Sequence, residues 1–325
     1  MTDTLVRRAP RAAAVIVLVL LLGLPTFQSS FTLSLLTQAL VWAMLAMSLD
    51  ILLGYTGLAS LGHAAYLALG AYSVGILATR HGANFWVTLA VGVALAVLGA
   101  AISGLVALRA TGVYFLMITL ALGMVVWGLA HRWVSMTSGD NGIAGVPRPR
   151  GLPWALTTPL PFYYFVLGAF VLAFLALWTV VHSPFGKTLV GIRESESRMR
   201  TLGYNVWLHK YVGFVIAGAA GGFAGVFWAY YNGFVSPADA ELATSVEILL
   251  MVALGGRGTL FGPALGAFVI VLLKNLVSVY THRWLLILGA VYIGTIVYAP
   301  EGIVGLLRDW LKARGRAPFR PAPSP

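Results

Sequence analysis

The stretch Phe85-Trp-Val-Thr-Leu-Ala-Val-Gly-Val-Ala-Leu-Ala-Val-Leu-Gly-Ala-Ala-Ile-Ser-Gly-Leu-Val-Ala-Leu108 holds no charged residue. A hydrocarbon core about 30 Å thick needs about 20 predominantly apolar residues of α-helix to cross it. This run is long enough alone and too long for a strand. Similar runs recur over 12–24, 33–53, 64–79, 113–134, 162–182, 212–234 and 284–299. The apolar region 244–280 is too long for one span and is interrupted by Gly255, Gly256, Arg257 and Gly258. It reads as two short spans meeting at those glycines, or as a re-entrant loop. The fold class is an all-α polytopic membrane protein of about ten transmembrane helices, forming one transmembrane domain over 1–325.

Composition agrees. Of 325 residues, 59% are hydrophobic and 10% charged, and the mean hydropathy is +0.89. Soluble domains carry about 25% charged residues. An outer-membrane barrel is excluded, because its strands would alternate in polarity. The absence of cysteine removes disulfides, Cys-ligated metals, Fe–S clusters and Cys nucleophiles. The net charge of +11 sits in short loops and tails, so it reads as topological signal and not as a nucleic-acid surface. With the N-terminus inside, 15 of the 21 Lys and Arg fall in cytoplasmic segments and 5 outside, Lys274 lying within a span. Both termini are then cytoplasmic. Arg7, Arg8 and Arg11 before the first run resemble a signal peptide, and the preferred reading is an uncleaved first span. Three segments leave the membrane: an outside loop over 135–161, a cytoplasmic loop over 183–211, and a basic, Pro-rich, disordered tail over 314–325.

Enzyme chemistry is hard to assemble from these residues. Of the ten acidic residues only Asp50 and Glu247 lie near the membrane core, on different spans, and no His pair has i, i+4 ligand spacing with an acid. Gly186-Lys187-Thr188 imitates the end of a P-loop, but position 181 is Val181, where that motif needs glycine. Asp50, Glu247, Lys274 and His63 could serve an ion-driven carrier, and they read instead as interfacial or water-facing groups. The energy for transport then comes from elsewhere.

The cytoplasmic loop carries the most information. Leu189, Ile192, Met199, Leu202 and Val206 share one helical face, while Arg193, Glu194, Glu196, Arg200 and Thr201 point elsewhere. Gly203 and Asn205 suit a helix end followed by a turn. One amphipathic helix is expected between spans six and seven. It lies on the membrane surface or docks a cytoplasmic protein, and its mixed charges favour the protein partner.

Ile192-Arg193-Glu194-Ser195-Glu196, with Leu202, Gly203, Asn205 and Lys210, resembles the coupling loop of branched-chain amino acid ABC transporter permeases of the LivM type, which reads about I-R-E-N-E-x-x-A-x-x-x-G-x-N. The chain departs at Ser195, Met199 and Arg200. Further segments resemble the same family in the same order: Gly54–Tyr66 with Gly70-Ala71-Tyr72, Ser138–Ile143, Gly255–Pro263 and Pro300–Ile303. The resemblance implies a non-catalytic permease in a bacterial inner membrane. It implies a second permease (LivH type), two ATP-binding subunits (LivG and LivF type) and an extracytoplasmic substrate-binding protein. No cofactor is expected on this chain, and ATP and Mg belong to the ATPase subunits. Ile192, Arg193, Glu194, Glu196, Leu202, Gly203 and Asn205 are the expected ATPase-coupling residues.

Gly57, Gly62, Gly255, Gly256 and Gly258 sit at breaks in apolar helices, and Gly57, Ser60, His63, Gly255 and Gly256 are the residues expected to line or shape a translocation path. Broken helices expose backbone groups that can line a translocation path. Close helix packing is the alternative. For Gly218–Gly225, with its overlapping small-xxx-small patterns, packing is the stronger reading. The expected cargo is a branched-chain or other hydrophobic amino acid, with urea or short amides as alternatives. A secondary carrier or channel is the competing function.

Overall fold

The Ser29 hydroxyl accepts from the Thr32 N–H, pairing one of the donors that a helix start leaves open. From there helix α1 (Ser30–Asp50) runs through apolar sequence and widens into a π-turn, Ile51–Thr56, closed by Gly57 at φ 75°. This computed structural model describes residues 29–151, 158–280, 284–298 and 302–305, with positions 21, 23 and 156. The helices that follow are α2 (Ala64–Arg80), α3 (Phe85–Ala107), α4 (Val113–Arg132), α5 (Val134–Thr137), α6 (Pro159–His182), α7 (Pro184–Glu194), α8 (Glu196–Thr201), α9 (Val206–Asn232), α10 (Leu242–Gly255), α11 (Phe261–Tyr280) and α12 (Trp284–Tyr298). Two short strands, β1 (Ile143–Ala144) and β2 (Phe234–Val235), pair antiparallel, Ile143 opposite Val235.

Among the described residues six helices are long and apolar enough to cross a membrane: Ser30–Thr56, Phe85–Ala107, Val113–Arg132, Pro159–His182, Val206–Asn232 and Phe261–Val279. Helix α10 has 14 residues, about 21 Å, and falls short of the bilayer core. The other four segments expected to span are three shorter helices, α2, α10 and α12, and the run over 12–24, so the structure shows six membrane-length helices and not the expected ten among the described residues. Most of that run, like the tail over 314–325, lies outside the described residues.

α1 is the central element. α6, α9 and α11 all pack on it, and its membrane-length stretch is almost wholly buried. α9 packs against α2 and α3 through the glycine-rich run. Gly218 and Gly222 meet Ala100 and Ala96 of α3, while Gly225 meets the Leu67 carbonyl of α2. A Cβ at any of these three positions would overlap its neighbour, so small residues set the helix spacing. On the outside of α3 and α4, Trp86, Leu98, Ile102, Met117, Val125 and Leu129 are exposed. A continuous apolar surface of this kind requires lipid around it, and the chain is an integral membrane protein.

Two expectations are corrected in the loop over 183–211. It holds two helices instead of one. Ser195 at φ −161° breaks them apart, and its hydroxyl caps α8 by accepting from the Arg198 N–H at 3.4 Å. α9 also begins at Val206, six residues before the expected start, because the Asn205 side chain caps it by accepting from the Leu208 N–H at 3.0 Å. Lys210 fits inside that helix because Glu196 pairs with it.

Candidate coupling and translocation site

Asp50, at the end of α1, and Gly54, in its π-turn, face the break between α10 and α11. That break pairs only part of its own backbone: the Gly256 N–H donates to the Val252 carbonyl at 3.1 Å, while the Gly258 and Leu260 N–H groups turn to a side chain. Gly256 lies at φ 111°, Gly258 at φ 78° and Leu260 at φ 56°, so the chain between the two helices follows a left-handed path. Asp50, fully buried, supplies the missing acceptors. Its Oδ1 accepts from the Gly258 N–H at 2.7 Å and its Oδ2 from the Leu260 N–H at 3.2 Å. The carboxylate thus sits where α11 starts, at the positive end of a helix. Thr259 completes the turn: its hydroxyl donates to the Gly256 carbonyl at 3.0 Å and accepts from the Gly262 N–H at 2.9 Å. A Cβ on Gly54 would collide with Asp50 Oδ1 and the Gly258 nitrogen, so this approach demands glycine.

Arg193 joins the cytoplasmic loop to the same place. From the end of α7 its Nη1 donates to the Gly54 carbonyl. Its side chain lies across Gly57, where a Cβ would come 2.9 Å from Arg193 Cγ, and Nη1 lies 3.3 Å from the Cβ position of Gly258. One guanidinium therefore touches both helix breaks.

The other break, 57–63, is also satisfied. Leu61 N–H donates to Thr119 Oγ1 at 3.3 Å, Gly62 N–H to Ser60 Oγ at 3.4 Å, and Ala64 N–H to Ser245 Oγ of α10 at 3.2 Å. His63 is fully buried, with Nε2 2.7 Å from Ser48 Oγ. The Ser48 hydroxyl donates to the Leu45 carbonyl at 2.6 Å. Its oxygen therefore accepts from His63, which fixes the tautomer with hydrogen on Nε2.

The residues expected to line a path divide accordingly. Ser60, His63, Gly255 and Gly256 are buried in packed protein, and only Gly57 is exposed. Gly255 packs against the Gly262 carbonyl. Of the four ionisable groups expected at the interface or facing water, Asp50, His63 and Glu247 are buried and held by partners within the protein, so they do not face water, while Lys274 is partly exposed.

The expected coupling residues divide too. Ile192 is buried; Arg193, though exposed, sends Nη1 to the Gly54 carbonyl; Asn205, also exposed, caps α9; and Glu196 pairs with Lys210 and, at 3.5 Å, with Arg200. Glu194, Leu202 and Gly203 are exposed. Asp50 and Gly54 were not chosen from sequence as parts of this site. The usable signal was an acid in an otherwise uncharged helix together with a glycine-rich break whose N–H groups lack helical acceptors.

A loop tied to two broken helices in a lipid-exposed bundle defines a transport permease more readily than an enzyme. Residues 31–296 match the family described as branched-chain amino acid transport system / permease component, and the chain belongs to that family. It is 29% identical to the high-affinity branched-chain amino acid transport system permease protein LivM of Escherichia coli K12, over 93% of this chain and 77% of that protein. It is 28% identical to the protein of the same name from Salmonella typhimurium, over 91% of this chain and 75% of that one. It is also 28% identical to the autoinducer 2 import system permease protein LsrC of Enterobacter sp. 638, over 90% of this chain and 81% of that one. No solved structure matches the chain.

Proposed function

We propose that this chain is the permease subunit of an ATP-driven importer for branched-chain or other hydrophobic amino acids. It forms part of the translocation path and hydrolyses nothing itself. Its partners are a second permease of the LivH type, two ATP-binding subunits of the LivG and LivF types that hold ATP and Mg, and an extracytoplasmic binding protein. The chain crosses a bacterial inner membrane ten times with both termini in the cytoplasm, and it binds no cofactor of its own.

The observation that carries this reading is the Arg193 junction. α7 and α8 are the elements expected to meet the ATPases, and Glu194 and Leu202 are exposed there. One residue from Glu194, Arg193 holds Gly54 and lies against Gly258. Displacement of α7 by a partner therefore pulls on both helix breaks together. A self-sufficient secondary carrier has no need for such a link.

The test is gentle purification from native membrane followed by mass spectrometry. Recovery of a second permease and two P-loop ATPases, lost on deleting residues 194–203, is the expected result. Recovery of the chain alone, with solute flux intact in ATP-free vesicles, overturns the reading.

A further inference from the structure

Glu247 and Lys274 form an ion pair inside the helix bundle. Lys274 Nζ lies 3.0 Å from both Glu247 carboxylate oxygens and 5.9 Å from the centre of the Trp42 ring. The Glu247 side chain is 9% exposed and that of Lys274 28%, so the pair is reachable from one side. Its depth follows from helix rise. Glu247 lies eight residues before Gly255, Lys274 thirteen after Phe261, and Trp42 eight before Asp50. At 1.5 Å per residue this puts the pair on the order of 12–20 Å from the Asp50–Gly258 junction, well within the apolar layer.

A structural role does not account for this pair. α10 and α11 are already held in close approach by glycines, Gly255 against the Gly262 carbonyl and Gly266 against the Met251 carbonyl. A buried ion pair contributes little stability that apolar residues of similar volume could not match. Ionisable groups at such depth mark substrate paths.

We propose that Glu247, Lys274 and the face of Trp42 bind the charged ends of a zwitterionic substrate. The proposal rests on the amino-acid permease reading and narrows it. The α-carboxylate of the substrate pairs with Lys274, and its α-ammonium pairs with Glu247 and lies over the Trp42 ring, which attracts cations. The Glu247–Lys274 pair is neutral and so is a zwitterion, so a bound zwitterion leaves the charge of the site unchanged. An ion with one net charge would change that balance in a low-dielectric layer, which is unfavourable. An uncharged amide such as urea would have to separate the pair without replacing its charges. The site therefore favours zwitterions over both.

The test uses the complete complex, purified with its partners and reconstituted with its binding protein in proteoliposomes. Uptake of radiolabelled L-leucine and of urea is measured per assembled complex. In Glu247→Leu/Lys274→Met the pair is replaced by apolar groups of similar size, and the complex is expected to melt no lower than wild type. Its leucine uptake is expected to fall about 10-fold to 100-fold, the range for loss of a charge-assisted contact. Glu247→Gln keeps the shape of the site and is expected to fall about tenfold. It carries the test if the double variant fails to assemble. Leucine uptake at the wild-type rate in either assembled variant overturns the binding site and leaves the permease reading standing. Wild-type uptake of urea without leucine overturns the amino-acid reading itself.

Discussion

Replacing Asp50 tests whether one carboxylate holds the α10–α11 break. Its two oxygens accept from the Gly258 and Leu260 N–H groups at 2.7 and 3.2 Å, and the residue is fully buried. Both donors sit in a left-handed turn where neither helix offers a carbonyl. Asp50→Ala leaves two buried donors unpaired, at about 1–3 kcal/mol each, so the expected loss is about 2–6 kcal/mol. Asp50→Asn keeps the shape and one acceptor oxygen but turns an amide NH₂ toward the other donor. Its expected loss is about 1–3 kcal/mol. The order of stability is therefore wild type, then Asn, then Ala. Thermal unfolding of the purified complex reads this order, and the ATP hydrolysed per solute moved reads its consequence, which rises in the same sequence. Asp50→Ala melting with wild type, or Asn melting below Ala, refutes the reasoning.

Three further outcomes follow from the same geometry. Gly57→Ala forces a side chain into the left-handed region, at roughly 1–2 kcal/mol, and drives a Cβ to within 2.9 Å of Arg193 Cγ. Its loss of coupling is expected to be smaller in an Arg193→Ala background than in wild type, and a double-mutant cycle on the ATP-to-solute ratio measures the difference. Glu196→Gln is expected to lower the melting temperature more than Arg200→Gln. It strands Lys210, whose side chain is 9% exposed, whereas Arg200 is 69% exposed and its pair is worth at most about 1 kcal/mol. Burial raises the Asp239 carboxyl above its ordinary range, opposed by hydrogen bonds from the Ser236 N–H and Trp228 Nε1–H. The folded state then keeps that proton to higher pH than the unfolded state does. Stability falls as pH rises from the ordinary carboxylate range through the raised value. Asp239→Asn is expected to flatten that slope in melting scans across the acid range.

The apolar runs made the helices legible, because lipid requires each spanning segment to satisfy its own backbone and be apolar throughout. That requirement fixes where a helix is and says little about which face turns inward. Where capping chemistry intervened, boundaries moved: Asn205 started α9 six residues early, and Ser195 divided the loop helix. The small-xxx-small run was read correctly as packing, because glycine spacing on a helix face is visible in one dimension. The strand pair Ile143–Ala144 with Phe234–Val235 joins residues 90 and 92 positions apart, and nothing local in either dipeptide announces it.

Arg193 shows why the candidate site was harder to read than the fold. In the sequence it stands among charged residues on an amphipathic loop, so its polarity pointed toward a partner. Its acceptor, the buried Gly54 carbonyl, is open because the helical run ends at Gly57, and Gly57 and Gly258 leave room for the side chain because they carry no Cβ. Long-range polar contacts of this kind depend on where backbone fails to pair with itself. Asp50 answers the same failure at the same place. The charge of Arg193 and the charge of Asp50 thus meet around backbone that two helix breaks leave open. A loop tied in this way cannot shift without disturbing both breaks. The two residues farthest apart in composition terms, an acid in a membrane helix and a base in a soluble loop, form one mechanical unit.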